Sequence, residues 1–180
     1  MRNYKYCWLL IFYLFISCTS CSSSNKKTER ERMLISDFLS FYFKDILQIN
    51  KPIILENFDD SESNRCMEEA LNGAKELGFS NRNLLKEDLT TLRLKFSPHF
   101  VLKEELPSYH TQKSWNKFKE KYNSGYFILS SPIINDQIDT IIFNFGFYCG
   151  ERCGNGKTVI YRKEKIGGWI LISENCNWIN

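Results

Sequence analysis

The chain has 180 residues, with 24 lysines and arginines against 21 acids, 43% hydrophobic residues, 14 phenylalanines and seven cysteines. That length and apolar content exclude a disordered chain and leave room for one domain with a substantial core. A formal charge of +3 with both signs mixed argues against nucleic acid as a partner, and 15% aromatic residues point to a densely packed core ahead of a stacking surface for ligands.

Arg2 and Lys5 form a short basic head, and residues 7–17 (CWLLIFYLFIS) are an apolar run of eleven. A secretory leader has this form, whereas a spanning helix needs about 20 apolar residues. Ser17 precedes Cys18, and a serine-rich polar stretch follows. The segment resembles the lipobox of bacterial lipoproteins, which implies cleavage before Cys18 and acylation of its thiol and new amino group, with Cys21 as the alternative site. Acyl chains contribute about 0.8 kcal/mol per buried CH₂, so two or three of them hold a soluble domain on a membrane. Residues 1–17 are thus read as the leader, 18–27 as the lipidated cysteine and a polar tether, and 28–180 as a single α+β domain in the bacterial cell envelope. Losing the leader leaves 22 basic against 21 acidic residues, a formal +1.

The first helix is expected from Thr28, which has capping-box spacing to Glu31, to just before Asn50. Ile35, Phe38, Leu39, Tyr42 and Ile46 would form its apolar face. Pro52–Leu55 suggests a short strand. Met67, Ala70, Leu71, Ala74 and Leu77 mark a second helix over 63–77, stopped by Gly78, with Cys66 beside its face. Residues 79–106 are ambiguous between helix (Leu84, Leu85, Leu89, Leu92) and strand (Leu92, Leu94, Phe96). Trp115, Phe118 and Tyr122 set a third helix over 111–122.

From Gly125 the period changes to two. Tyr126–Ile133, Ile138–Cys149, Lys157–Glu164 and Trp169–Ser173 read as a four-stranded antiparallel meander, with turns at Asn135-Asp136, the cysteine loop and Gly167-Gly168. Ile141, Phe143, Phe145 and Phe147 would share one face, covered by the helices. A single helix wrapped by the sheet, as in cystatin-like folds, is the alternative. Lys157, Arg162, Lys163 and Lys165 make the third strand basic, which suits an edge strand, with contact to anionic lipid as the second reading.

The succession Leu129-Ser130-Ser131-Pro132, Cys149-Gly150, Cys153-Gly154-Asn155-Gly156, Gly168-Trp169 and Trp178 has the form S-x-P … C-G-x-x-C-G-x-G … G-x-W … W. Over residues 115–180 it resembles a group of uncharacterised bacterial lipoproteins common in Bacteroidota. The resemblance implies an envelope lipoprotein with this sheet at its C-terminus, and no activity.

Several chemistries compete for the cysteine loop. A phosphate loop would need glycine where Glu151 stands, and its glycines should open a helix. Zinc needs four ligands, and Cys66, Cys176, His99 and His110 offer no second pair at ligand spacing. A thiol redox centre is the sharper reading, but Arg152 is the only cation within the loop and Glu151 offsets it. A structural disulfide fits best: Cys149–Cys153 would close a five-residue ring, with glycines 150, 154 and 156 supplying positive φ, while pairing of either cysteine with Cys66 or Cys176 stays open. The histidines His99 and His110 and the acidic pairs Asp59-Asp60, Glu68-Glu69 and Glu104-Glu105 form no catalytic constellation. No cofactor and no metal are expected. The leading expectation is a non-enzymatic envelope protein, attached to the membrane through Cys18. It would meet an envelope protein or small ligand through Tyr148, Glu151, Arg152, Trp169 and Trp178. The rival is a thiol–disulfide redox protein acting through Cys149 and Cys153.

Overall fold

A computed structural model describes residues 26–57, 64–79, 88–108 and 111–179. The leader, Cys18, Cys21, Asp59-Asp60, Leu84, Leu85 and His110 lie outside the described residues.

Helix α1 occupies residues 26–41 and continues as a π turn over Tyr42–Ile46. It is already helical at residue 26, so Thr28 lies within it and is not its cap. Ile35, Phe38, Leu39 and Tyr42 are buried as the periodicity predicts. Ile46 is exposed and Phe43 buried instead, because the wider π turn takes an extra residue and rotates the last turn. Helix α2 (Asn64–Gly73) runs on as a 3₁₀ turn, Lys75–Leu77, and ends at Gly78 with φ 77°. Helix α3 (Gln112–Tyr122) ends on Asn123, also left-handed at φ 52°.

The strands are β1 (Ile53–Leu55), β2 (His99–Val101), β3 (Tyr126–Leu129), β4 (Ile133–Ile134), β5 (Thr140–Gly150), β6 (Cys153–Lys163) and β7 (Trp169–Ile179). The expected four-stranded meander is corrected to a seven-stranded mixed sheet in an α+β fold. Its order is β2-β1-β3-β5-β6-β7, with β4 also on β5. β1 pairs in parallel with both β2 and β3, and the remaining pairings are antiparallel. The predicted first strand of the meander divides into β3 and β4 at Ser130-Ser131-Pro132. There the buried Ser130 Oγ accepts the Asn144 N–H, and Pro132 has no N–H to give a ladder.

Helices cover both faces of the sheet. α1 lies on the Ile141, Phe143, Phe145 face together with Val159, Tyr161 and Trp169. On the opposite face α2 packs Met67, Ala70 and Ala74 onto Ile142 and Ile160, and α3 packs Trp115 and Phe118 onto Tyr126 and Tyr148. Strand β6 is internal, so its lysines do not guard an edge: Lys157 pairs with Glu174, and Lys163 with Asp37.

The turn into β5 is held by a buried side chain. Asn135 Oδ1 accepts the Asp139 and Thr140 N–H groups, and Nδ2 donates to the Leu77 carbonyl and the Asp139 carboxylate. This clamp keeps Ile138, a β-branched residue, at φ 57°.

Candidate functional site

Strands β5 and β6 are eleven residues each and meet at a turn whose tip is Glu151-Arg152. The register slips between the Tyr148–Gly154 and Gly150–Cys153 pairs, so Cys149 is the bulged residue. A disulfide joins Cys149 to Cys153 across the turn, with Cα atoms 5.0 Å apart. The second disulfide, Cys66–Cys176, ties α2 to β7 over a Cα separation of 5.7 Å and 110 residues of sequence. Of the three pairings of four cysteines, the molecule uses this one. Cys176 sits at φ 52° in β7, inside the register shift between the Gly156–Trp178 and Thr158–Asn175 pairs.

The loop glycines do not serve the purpose expected of them. Among the described glycines only Gly78 and Gly167 have positive φ. Gly154 and Gly156 instead clear space for Trp178. A Cβ on Gly156 would stand 2.6 Å from the indole Cε2 and Nε1, and one on Gly154 would stand 3.3 Å from Cζ3. Gly146, one strand over, completes this floor, where a Cβ would lie 3.2 Å from Cζ2. A real Cβ does not approach to 2.6 Å, and 3.2–3.3 Å is tight; Cβ atoms at 154 and 156 would also stand 2.9 and 2.6 Å from the carbonyl oxygens of Phe147 and Phe145, so the glycine strip is a seat for one aromatic ring and lets the neighbouring strand come close.

From that seat a ladder of rings runs inward. Trp178 meets Tyr148 at 5.4 Å between centroids, Tyr148 stacks on Tyr126 at 5.5 Å, and Tyr126 stacks on Trp115 of α3 at 5.7 Å. Each such pair is worth about 0.5–1.5 kcal/mol beyond the area it buries. The hairpin base is thereby bonded to β7 and α3 at once.

The structure separates the residues expected to form one contact surface. Glu151, Arg152 and Cys153 are exposed at the tip, and Cys149 and Trp178 are half-buried. Tyr148 is only 7% exposed and belongs to the ladder. Trp169 is 8% exposed at the opposite end of the sheet, where it packs edge-on against Phe38. Burial takes these two rings out of the contact surface. A cation that sequence reading missed lies beside the tip: Lys119 Nζ of α3 is 3.9 Å from where a Cβ on Gly150 would stand. Its only sequence signal is the lysine-rich outer face of α3.

A second polar centre had no signal at all. Asp37 of α1 accepts hydrogen bonds from Lys95 Nζ (2.9 Å), Lys163 Nζ (2.8 Å) and Trp169 Nε1 (3.1 Å). Partial burial alone would raise its pKa, but the bonds from Lys163, Lys95 and Trp169 prevail and hold it at about 2. Glu105, taking bonds from Lys121, the Leu102 N–H and Tyr122 at the surface, is likewise lowered to about 2. His99 is exposed with its ring 5.0 Å from that of Tyr122. Among the described residues no group of three or more His, Cys, Asp and Glu side chains is placed to hold a metal ion, and no helix is long and apolar enough to cross a membrane. Comparison with protein-family models, curated proteins and solved structures finds no match to this chain.

Proposed function

We propose that the chain is an envelope lipoprotein, exported by residues 1–17 and anchored through Cys18, of the kind that its C-terminal cysteine motif resembles. Its globular part is a non-enzymatic binding or structural module that offers the β5–β6 tip to an envelope protein or a small ligand. The observation that carries this reading is the pairing of Cys66, Cys149, Cys153 and Cys176 into two disulfides, a state suited to a protein matured outside the cytoplasm. It agrees with the leader read from the sequence. The tip supports a contact role: it sets Glu151 and Arg152 on a hairpin that a disulfide closes and a buried aromatic ladder braces. Such preorganisation lowers the entropic cost of binding.

Labelling with radioactive palmitate in the presence and absence of globomycin tests the anchor. The chain should take up label, globomycin should cause the uncleaved precursor to accumulate, and Cys18→Ala should abolish labelling. Label retained by Cys18→Ala refutes the assignment.

A redox role is the second reading, favoured by the exposure of Cys153 and the nearness of Lys119, a cation able to stabilise a thiolate. An equilibrium redox titration separates the two. A Cys149–Cys153 potential below about −300 mV marks a structural staple, and one of roughly −120 to −200 mV marks a thiol oxidant.

A further inference from the structure

The direction of α1 relative to the sheet fixes which end of the molecule carries the N-terminus. Phe38 packs on Phe143, and further along α1 Tyr42 packs on Phe145 and Phe43 on Phe127, the β3 partner of Phe147. α1 therefore runs parallel to β5, toward the Cys149 end. Its start at residue 26 lies about 18 Å behind Phe38 at 1.5 Å per residue, past the end of the sheet formed by Thr140 and Lys163. The β6–β7 turn, Glu164 to Gly168, projects beyond that same end, closed by the Glu164 N–H donating to the Gly168 carbonyl.

This turn has an unusual tip. Ile166 is 95% exposed, the most exposed large hydrophobic residue among those described. Arg162, Lys163 and Lys165 flank it, all exposed, with Glu164 the single acid between them. The start of α1 adds exposed Lys26, Lys27 and Arg30, with exposed Glu29 among them and Lys27 paired with Glu31. Cys18 precedes residue 26 by eight residues, a span of at most about 28 Å when fully extended.

We propose that the β6–β7 turn is a second membrane contact. Ile166 enters the headgroup region of an anionic phospholipid surface, Lys165 and Arg162 meet lipid phosphates, and the Cys149–Cys153 tip is held at the end facing away from the bilayer. The inference rests on the Cys18 anchor proposed above. One aliphatic side chain and two or three cations bind a bilayer weakly on their own. The anchor makes the contact intramolecular, at an effective concentration set by the short tether, so weak contact suffices to orient the domain.

The test uses the full chain, expressed with its own leader in a bacterial host, with p-benzoylphenylalanine replacing Ile166 in one variant and Arg152 in another. Both positions are exposed turns, so the fold is left intact. Membranes are irradiated and the chain is analysed by peptide mass spectrometry, which also reads acylation of Cys18. Phospholipid adducts at position 166 are expected at tenfold or more the yield at 152. They should fall several-fold when Arg162→Ser and Lys165→Ser are added. A Cys18 peptide that is acylated with no lipid adduct at 166, or with adducts only to protein there, overturns the orientation and leaves the anchor standing. An unmodified Cys18 overturns both.

Discussion

The two disulfides close loops of very different length, and their removal should separate cleanly in energy. A cross-link restricts the unfolded chain by an entropy that grows with the logarithm of the closed loop. The 110-residue separation of Cys66 and Cys176 gives about 4.8 kcal/mol at 25 °C, and the five-residue ring of Cys149 and Cys153 about 2 kcal/mol. The short ring lies inside the long loop and shortens it by only four residues, which changes the larger figure by a few hundredths of a kcal/mol by the same logarithm, roughly. The two effects should therefore add. Urea denaturation of Cys66→Ala/Cys176→Ala, of Cys149→Ala/Cys153→Ala and of the quadruple variant measures them. With a slope of about 2 kcal/mol per molar for a domain of this size, the midpoint should fall by roughly 2.4 M in the first variant and about 1 M in the second. Against a total of about 5–15 kcal/mol, loss of the first brings the fold close to its limit. An equal fall in both variants, or a larger one on removing Cys149 and Cys153, would refute the loop-entropy reasoning. It would place the energy in local contacts at the hairpin instead.

Three further outcomes follow from side chains. Asp37 has a folded pKa of about 2, below its ordinary 3.8, so its contribution is present in full above pH ~4 and lost as pH falls toward ~2; about 2 kcal/mol is at stake. Unfolding midpoints recorded across that range should show the loss in the native chain, and Asp37→Asn should flatten it. Gly156→Ala should cost about 1–3 kcal/mol by crowding both Trp178 and the Phe145 carbonyl, with a change in tryptophan fluorescence. The cost should be smaller in a Trp178→Ala background, and equal costs in both would show that the ring does not rest on the glycine. Asn135→Ala leaves the Thr140 and Asp139 N–H groups and the Leu77 carbonyl without their partner and should cost roughly 2–4 kcal/mol, read as a lower thermal midpoint together with faster amide exchange at Asp139 and Thr140.

What the sequence makes legible here is what it encodes at short range. α1, α2 and α3 and the strands β5 and β6 declare themselves because each buries a face at a regular period, so local order reports the burial. Strand β1, Ile53–Leu55, forms where the apolar run Pro52–Leu55 suggests a short strand. Strand β2 has three residues inside the ambiguous stretch and no period of its own, and the parallel pairing of the two joins segments far apart in the chain. Leu92 and Phe96 alternate and are buried, yet no strand forms there, because loop residues can fill the core beside α1 without a ladder. Asp37 gives no sign beforehand, since the three donors that converge on it come from residues 95, 163 and 169.

The cysteine loop shows how a motif can be visible while its physical meaning is not. Its glycines invite a reading in φ, a property of one residue, but the positive φ values in the sheet and its turns fall on Ile138 and Cys176 as well as Gly167. Glycines 154 and 156 make room for Trp178, more than twenty residues further along, and for the Phe147 and Phe145 carbonyls of the neighbouring strand, which no local pattern can announce. The quoted form C-G-x-x-C-G-x-G … W thus describes one packing unit: two cysteines that close a turn, and glycines that admit a ring. Resemblance in those positions carries the scaffold and says nothing of a ligand. Under the binding role proposed above, recognition falls to the positions the packing leaves open, Glu151, Arg152 and Asn155, all exposed, with Lys119 beside them. Replacing Glu151 and Arg152 together should leave the unfolding free energy from urea denaturation within about 0.5 kcal/mol of the native value while abolishing any partner contact made by the tip. A marked loss of stability in that variant would show the tip to be part of the scaffold after all.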